Sequence, residues 1–496
     1  MIVLGGGLAG LACARAVAAA GLDVEVWEAS DRFGGKAGSL RTGDRWADHG
    51  YHVFPAWYWN TNALLDELGI ELWRSVEFNE VRPRAIRDEP AGRPISFSPF
   101  SRTMVATLDL ISRPSWYLDE MSVDGFLRAR LYAGRHSGER LREISRKALG
   151  SPAYLTSALS MQRNLRWWVP LIRDPNWNAL RGPMQQAFIE PIVAATERAG
   201  AKLMPGRRVA RLVPTDGRLL PQAEGEAAPA GDRGTVVVCT LPAEVLDRMI
   251  DDDPALARAL LDAGAKVTDV HHLQANALSA VDLHLNRQVE GLPKGHFILR
   301  HSSYELTGLD VTGIWDDYRA DPDHPTVLQV IAGDPTAILP LDERAFAEAV
   351  VDDLARYFPI TRADVDWGHT LAMKHEDEPL FANTVGSNRR RVPPTATGVD
   401  GFYMAGDHTD TLVDLACMEG AIYSGLVVAD AICREAGRPR PALRHPEGVP
   451  DWAIGLLKVL RYPLALAALP ARLTDVNDWG RALREWKVLA RPGPSG

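Results

Sequence analysis

Near the start of the chain, Gly5-Gly6-Gly7-Leu8-Ala9-Gly10 places glycine where a backbone must come close to a phosphate. Gly5 permits a tight turn, Gly7 lets the backbone approach a pyrophosphate, and Gly10 lets a following helix pack closely against the preceding strand. A helix beginning there offers amide donors and a positive dipole end to the phosphates. Glu28 stands 18 residues beyond Gly10, the distance at which an acidic side chain accepts a hydrogen bond from an adenosine ribose 2′-hydroxyl. A carboxylate at that place repels a 2′-phosphate and so disfavours NADP. The run continues through Ala29 to Arg32 and then Gly34-Gly35-Lys36, a second glycine pair between two cations. Glycine turns also serve conformation alone, and a capped turn with a solvated charge pair is the other reading of residues 28–36. Two glycine motifs in register favour a dinucleotide.

Those residues need a strand, a helix and a second strand to hold them. Met1 to Leu4 supplies the first strand, the alanine-rich run Leu11 to Ala20 the helix, and Asp23 to Trp27 the second strand. The far end of the chain has a comparable arrangement. Phe402 to Met404 is a buried strand, Ala405-Gly406 are small residues against which a ligand can lie, and Asp407 is an acceptor for a ligand hydroxyl. From Met418 to Ile432 the sequence favours a helix whose N-terminal amides would face any ring on which negative charge grows.

The opening GxGxxG, the glutamate and the Arg32-x-Gly-Gly-Lys36 run resemble the flavoprotein superfamily of amine oxidases, carotenoid desaturases and protoporphyrinogen oxidase. Gly401 to Asp407, with Met418-Glu419-Gly420-Ala421, resembles that superfamily's C-terminal flavin signature, about 380 residues away. The resemblance implies FAD rather than NAD. It implies an α/β fold: a Rossmann-like FAD-binding domain, a discontinuous α+β substrate domain and a helical C-terminal tail. It further implies FAD contacts from Gly5, Gly7, Leu8, Ala9, Gly10, Glu28, Ala29, Arg32, Gly34, Gly35 and Lys36. A second set comprises Gly50, Tyr51, His52, Thr240 and Val209, the last through its backbone to adenine. A third comprises Gly406, Asp407 at the ribityl or phosphate region, Cys417, Met418, Glu419 and Ala421.

Two local features bear on the branch. Asp48-His49-Gly50-Tyr51-His52-Val53-Phe54-Pro55, followed by Asn62 to Gly69, resembles phytoene and zeta-carotene desaturases of the plant and cyanobacterial type. Amine oxidases of this superfamily carry an aromatic residue just before Met-Glu-Gly-Ala, one wall of a cage that orients the amine; here that place is Cys417. His52 is the candidate catalytic side chain, since imidazole titrates near neutral pH, and a packed histidine bonded to backbone is the alternative.

The chain has 496 residues, too many for one core, and a net charge of −9, so it has no basic footprint for nucleic acid. Cys13, Cys239, Cys417 and Cys433 form no CxxC and no metal spacing, which fits a reducing compartment and no metal site. A first strand beginning at Met1 leaves no room for a signal peptide, and the expected location is cytoplasmic. FAD-binding pieces are expected at 1–75, 180–265 and 395–436, the substrate domain at 76–179 and 266–394, and a helical tail at 437–496. Pro214 to Gly234 reads as a long exposed hairpin loop, and Ala280 to Leu285 and Val327 to Ile331 as strands flooring a cavity. Trp57, Trp59, Trp167, Trp168, Trp177 and Trp315 are candidates to line an apolar tunnel.

From Trp452 to Leu469 the tail is apolar but interrupted by Lys458, Arg461 and Pro463, which suits a membrane-interfacial helix or a packed helix better than a span. The expected function is an FAD-dependent oxidoreductase that removes hydride from an apolar, isoprenoid or carotenoid-like substrate and passes electrons to a quinone or oxygen. Three alternatives stay open: an amine or amino-acid oxidase, a redox-neutral isomerase or dehydroxylase, and a flavin-free lipid escort of the GDP-dissociation-inhibitor type.

Overall fold

In the computed structural model, the described residues are 1–466 apart from Asp44, 87–92, 95–101, 131–134, 172–176, 321–325, Pro335 and Pro446. The part of the expected tail beyond residue 466 lies outside them.

β1 (Ile2–Leu4) leads through the glycine loop into α1 (Leu8–Ala19) and then β2 (Glu25–Trp27). Three later strands, β3 (Lys202–Met204), β4 (Val237–Cys239) and β5 (Phe402–Met404), join them in a five-stranded sheet of order β3-β2-β1-β4-β5. All four pairings are parallel, with Val3 beside both Val26 and Val238, and Val238 beside Tyr403. β1, β4 and β5 are buried along their whole length, which is why they read as short unbroken apolar runs. These strands come from widely separated stretches of the chain, so the sheet assembles only when the far end returns.

A second sheet has seven strands. Its spine is Ser279–Leu285 paired antiparallel with Thr326–Ala332, and its far side places His296–Leu299 parallel to Phe78–Val81. The helix Glu343–Leu354 covers one face, with Phe346, Val350 and Leu354 packed against Val281, Leu283 and Leu328. The helices Arg102–Ser112, Val123–Arg128 and Ala158–Leu171 share a core with α1 and its neighbours instead.

The stretch expected to be a long exposed hairpin loop does form a hairpin, but its second strand is largely buried and the exposed loop is mainly residues 224–234. Val209–Thr215 and Arg218–Ala223 pair antiparallel around Asp216-Gly217, both with positive φ (50° and 80°), the turn an Asp-Gly pair favours. Leu212, Leu219 and Leu220 are buried, so the apolar residues among the Pro, Gly and Ala decide the structure.

Two helices fix the arrangement around β1. α2 (Trp59–Leu68) follows the His52 segment, and α3 (Met418–Glu435) follows β5 and crosses α1 at close range. A β-carbon placed on Gly425 of α3 would lie 2.2 Å from the carbonyl oxygen of Ala9 in α1. Gly425→Ala is therefore expected to force the helices apart and to destabilise by about 1–3 kcal/mol, read as a lowered thermal midpoint and a lower bound-flavin content.

Candidate functional site

The glycine loop is held from both sides. The Gly5 amide donates to the Trp27 carbonyl at 2.8 Å, and the Thr240 hydroxyl donates to the carbonyls of Leu4 and Gly5 at 2.9 Å. Gly5 has φ of 104°, and a β-carbon on Gly10 would lie 2.1 Å from the Gly5 carbonyl, so only glycine fits at either place. Gly7 differs. A β-carbon there would meet only Gly35 Cα, at 3.8 Å, which leaves the cradle open on the side where a pyrophosphate would lie. α1 begins at Gly7 without a side-chain cap or an acidic residue in its first turn, so its amides and dipole face that opening. Leu8 and Ala9 are buried in this first turn.

Glu28 closes the other side of the cradle. Its Oε2 accepts from the Gly6 amide at 2.7 Å and its Oε1 from the Ser30 amide at 2.8 Å, beside the exposed Ala29. Gly34 donates to the Gly6 carbonyl, Arg32 to the Ser39 carbonyl, and Lys36 to Glu244 at 2.6 Å and to the Pro379 carbonyl. Val209 opens its hairpin strand and packs beside Ile2 and Leu212. These residues fit the adenosine diphosphate half of a dinucleotide: an open glycine cradle, a helix N-terminus and a carboxylate.

The C-terminal half is organised by residues that sequence spacing does not single out. The Gly406 amide donates to the Ser424 hydroxyl at 2.8 Å, which fixes the start of the loop bearing Asp407. The buried Arg391 guanidinium sits inside that loop. It donates to the carbonyls of Asp407 at 2.9 Å, His408 at 3.3 Å and Thr409, and pairs with the fully buried Asp414 carboxylate. Asn383 donates to Asp414 at 2.6 Å, Arg163 at 3.3 Å, and the Asn164 amide to the Asp414 carbonyl at 2.7 Å. Burial pushes the Asp407 carboxyl upward, but His408, Lys36 and Arg391 together hold it below its ordinary value. It is thus kept as a carboxylate, able to accept from a ligand hydroxyl.

Cys417 caps α3, its Sγ accepting from the Gly420 amide at 3.4 Å, and burial raises the thiol to about 12. Met418 is buried in the first turn, and the Ala421 amide donates to the Cys417 carbonyl at 3.1 Å. Glu419 turns the other way. Its carboxylate accepts from the amides and side chains of Asn60 and Thr61, four donors at 2.7–3.0 Å at the N-terminus of α2. It therefore braces α3 against α2 with its side chain, leaving only its backbone toward a ligand on α3.

The His52 segment runs between the two sheets. Gly50 has φ of 143°, and a β-carbon there would lie 3.0 Å from Ile331 in the second sheet. Tyr51 directs its hydroxyl into that sheet, bonded to His296 at 2.7 Å and Thr307 at 2.9 Å. Asp48 is buried, accepts from Ser39 and from the Met184 amide at 3.1 Å, and is raised to about 7 by burial. His52 lies 4.7 Å from His49, ring centre to ring centre, and burial lowers its pKa to about 4. Its Nδ1 has no partner.

The tryptophans separate into two groups. Trp57 packs on Tyr58 at 4.5 Å and on Trp168 at 5.9 Å, and Trp59 on Trp167 at 6.3 Å, in contact with the Cys417 end of α3. Trp177 and Trp315 pack with Phe78 and Tyr318 under the second sheet. Only the first group adjoins the helix that would face a flavin ring.

Residues 8–433 match the model of the flavin-containing amine oxidoreductase family. The chain belongs to that family. Among curated relatives, it is 24% identical over 481 residues to the 15-cis-phytoene desaturase of Synechococcus elongatus, covering 89% of this chain and 98% of that one. It is 23% identical over 482 residues to the chloroplastic/chromoplastic 15-cis-phytoene desaturase of Solanum lycopersicum, covering 88% and 78%. Among solved structures, cyclohexylamine oxidase of Brevibacterium oxydans superposes with a TM-score of 0.65 at 18% identity, covering 88% of this chain and 99% of that one. The chain is thus an FAD-dependent oxidoreductase with an α/β FAD-binding fold.

Arg391 and Asp414 give a test of how the flavin half is built. Arg391→Met leaves Asp414 buried and short of its main counter-charge, at an expected cost of about 3–5 kcal/mol. The double variant Arg391→Met with Asp414→Leu is expected to regain most of that stability in thermal melts. Its flavin absorbance per protein is expected to stay low, because the carbonyls of Asp407 to Thr409 have still lost their donor.

Proposed function

We propose that the enzyme removes hydride from an apolar substrate of isoprenoid or polyene type and passes the electrons to a quinone or oxygen. The carrying observation is the wall at the start of α3. The residue there is Cys417, a protonated thiol in contact with Tyr58, and the apolar side chains packed beside it include the indoles of Trp59, Trp167 and Trp168. Of the two carboxylates in electrostatic reach of the thiol, Glu419 is taken up by Asn60 and Thr61 and Asp407 by His408, so the wall suits a hydrocarbon better than an ammonium. The end-to-end relatedness to phytoene desaturases supports the same substrate class.

Bound FAD supplies a two-electron acceptor for the hydride. The chain's residues do the rest. The glycine loop, Glu28 and Lys36 hold the adenosine diphosphate half, and Asp407 the ribityl region. The amides of Met418 and Glu419, at the positive end of α3, would face the side of the ring where negative charge grows. The Trp57, Tyr58 and Trp168 surface excludes water and fixes the reacting carbon, and His52 stands at the slot as the candidate proton acceptor.

Anaerobic mixing of the holoenzyme with a panel of isoprenoids, polyenes and amines tests this assignment. An isoprenoid or polyene is expected to bleach the flavin. Bleaching by amines alone, with peroxide release in air, would overturn it in favour of an amine oxidase.

We propose further that the enzyme works in the cytoplasm at a membrane surface, where such substrates dissolve. No helix among the described residues is long and apolar enough to cross a membrane. The helix at 451–466 instead exposes Trp452, Leu456, Val459 and Leu466 at helical spacing, with Lys458 and Arg461 beside them. Arg461 reaches the Ser112 carbonyl, close in sequence to Trp116, which is 83% exposed. An apolar face with flanking cations matches an anionic lipid surface. Flotation with anionic phospholipid vesicles is expected, and Trp452→Glu with Val459→Glu is expected to abolish it; a wild-type protein left at the bottom of the gradient removes the membrane from the proposal.

A further inference from the structure

Oxidation of a hydrocarbon to an alkene releases a proton as well as a hydride, and the wall proposed above is apolar. Three histidines lead away from it. His52 lies 4.7 Å from His49, and His49 lies 5.6 Å from His375, both pairs edge to face. His375 Nε2 donates to the His49 carbonyl at 3.1 Å, which fixes its tautomer and leaves its Nδ1 as the basic nitrogen. The Nδ1 atoms of His49 and His52 are buried without a hydrogen-bond partner. The His49 ring is bonded to the Gly38 backbone through its other nitrogen, which leaves Nδ1 as its accepting nitrogen.

The outer end of the row is built to meet solvent. His375 is partly exposed and is followed by the exposed residues Glu376, Asp377 and Glu378, of which Glu378 acts electrostatically on the ring. His375 holds a left-handed φ of 56°, unusual for a residue with a side chain. The turn is pinned by Lys374, which donates to the Leu339 carbonyl, and by Lys36, which donates to the Pro379 carbonyl. The charged groups around the row are thus Asp48, adjacent to His49 in the chain, Lys36 from the flavin loop, and Lys374, Glu376, Asp377 and Glu378 from the His375 turn. Tyr51 turns away to His296.

The geometry points to a proton exit: His52, His49 and His375 form the path by which the proton of the oxidation leaves the slot. It rests on the oxidative reading of the site. One substrate C–H bond breaks with its electron pair going to the bound FAD. The neighbouring C–H bond then breaks, its pair becomes the second bond of the alkene, and its proton goes to the free nitrogen of His52. From there it passes to His49 and His375, and from His375 to the acidic turn or water. A carbon next to a centre that has lost hydride is strongly acidic, so a weakly basic imidazole suffices. Burial lowers His52 to about 4 and holds His49 and His375 below their ordinary values, so all three rings are neutral and ready to accept at neutral pH.

The test uses FAD-loaded full chain carrying His49→Gln, His375→Gln or His375→Ala. In one arm electrochemically reduced methyl viologen, whose oxidation releases no proton, reduces the flavin anaerobically, and a pH-indicator dye follows proton uptake, which would use the same path inward. Uptake is expected to coincide with bleaching in the wild type and to lag about 100-fold in the variants, with imidazole restoring His375→Ala in proportion to its concentration. In the second arm, substrate-driven bleaching is expected to slow about 100-fold with KM unchanged. Variants within two-fold of wild type in the dye arm overturn the proton path. If the dye arm shows the lag but no isoprenoid or polyene bleaches the flavin, the substrate assignment fails and the path stands. Should His49→Gln fail to fold, the surface variant His375→Ala and its rescue decide the matter alone.

Discussion

The carbonyl oxygen of Ala9 occupies the space that a side chain at position 425 would need, and the site depends on that close approach. α1 follows β1, and α3 follows β5, two strands of one parallel sheet whose carboxyl ends therefore share an edge. Locking the two helices together at Gly425 brings both of their N-termini to that edge. One serves the pyrophosphate and the other the flavin ring. A single dinucleotide can bridge them only if their separation is fixed, and backbone-to-backbone contact fixes it more stiffly than interdigitated side chains would.

Electrostatics is arranged to the same end. Glu419 ties α3 to the N-terminus of α2 through four hydrogen bonds, so the helix that faces the ring and the helix that follows the His52 segment move as one. Lys36 links the flavin loop to Glu244 and to the turn bearing His375. The parallel sheet supplies the cofactor edge and the second sheet supplies Ile331, Thr307 and His296 to hold the segment between them.

Glycine motifs were legible in the sequence because their requirement is local: a positive φ or a missing side chain leaves its mark at the residue itself. Gly5, Gly10, Gly34 and Gly406 are of this kind. Arg391 was not legible, since its partners are backbone carbonyls 16 to 18 residues away, and a carbonyl has no residue type. The hairpin at 209–223 was legible as a hairpin, but the surrounding Pro, Gly and Ala concealed that its second strand, Arg218–Ala223, is largely buried. The tryptophans show the opposite failure. Their type suggested a single tunnel, whereas tertiary packing divides them between two cores. His52 was visible as a chemical residue; its relation to His375, more than 300 positions away, exists only in the folded chain.

Arg391 binds the loop after Asp407 almost entirely through main-chain oxygens. Those oxygens are offered by every amino acid, so these contacts themselves do not depend on the side chains of His408 and Thr409. They place a strict demand on how many residues there are, because one more or one fewer would present the wrong carbonyls and carry Asp414 out of reach. The guanidinium therefore fixes the length of this segment, while its spelling is constrained separately, by His408 beside Asp407, by the Thr409 hydroxyl on the Gly406 carbonyl and by the buried Val413.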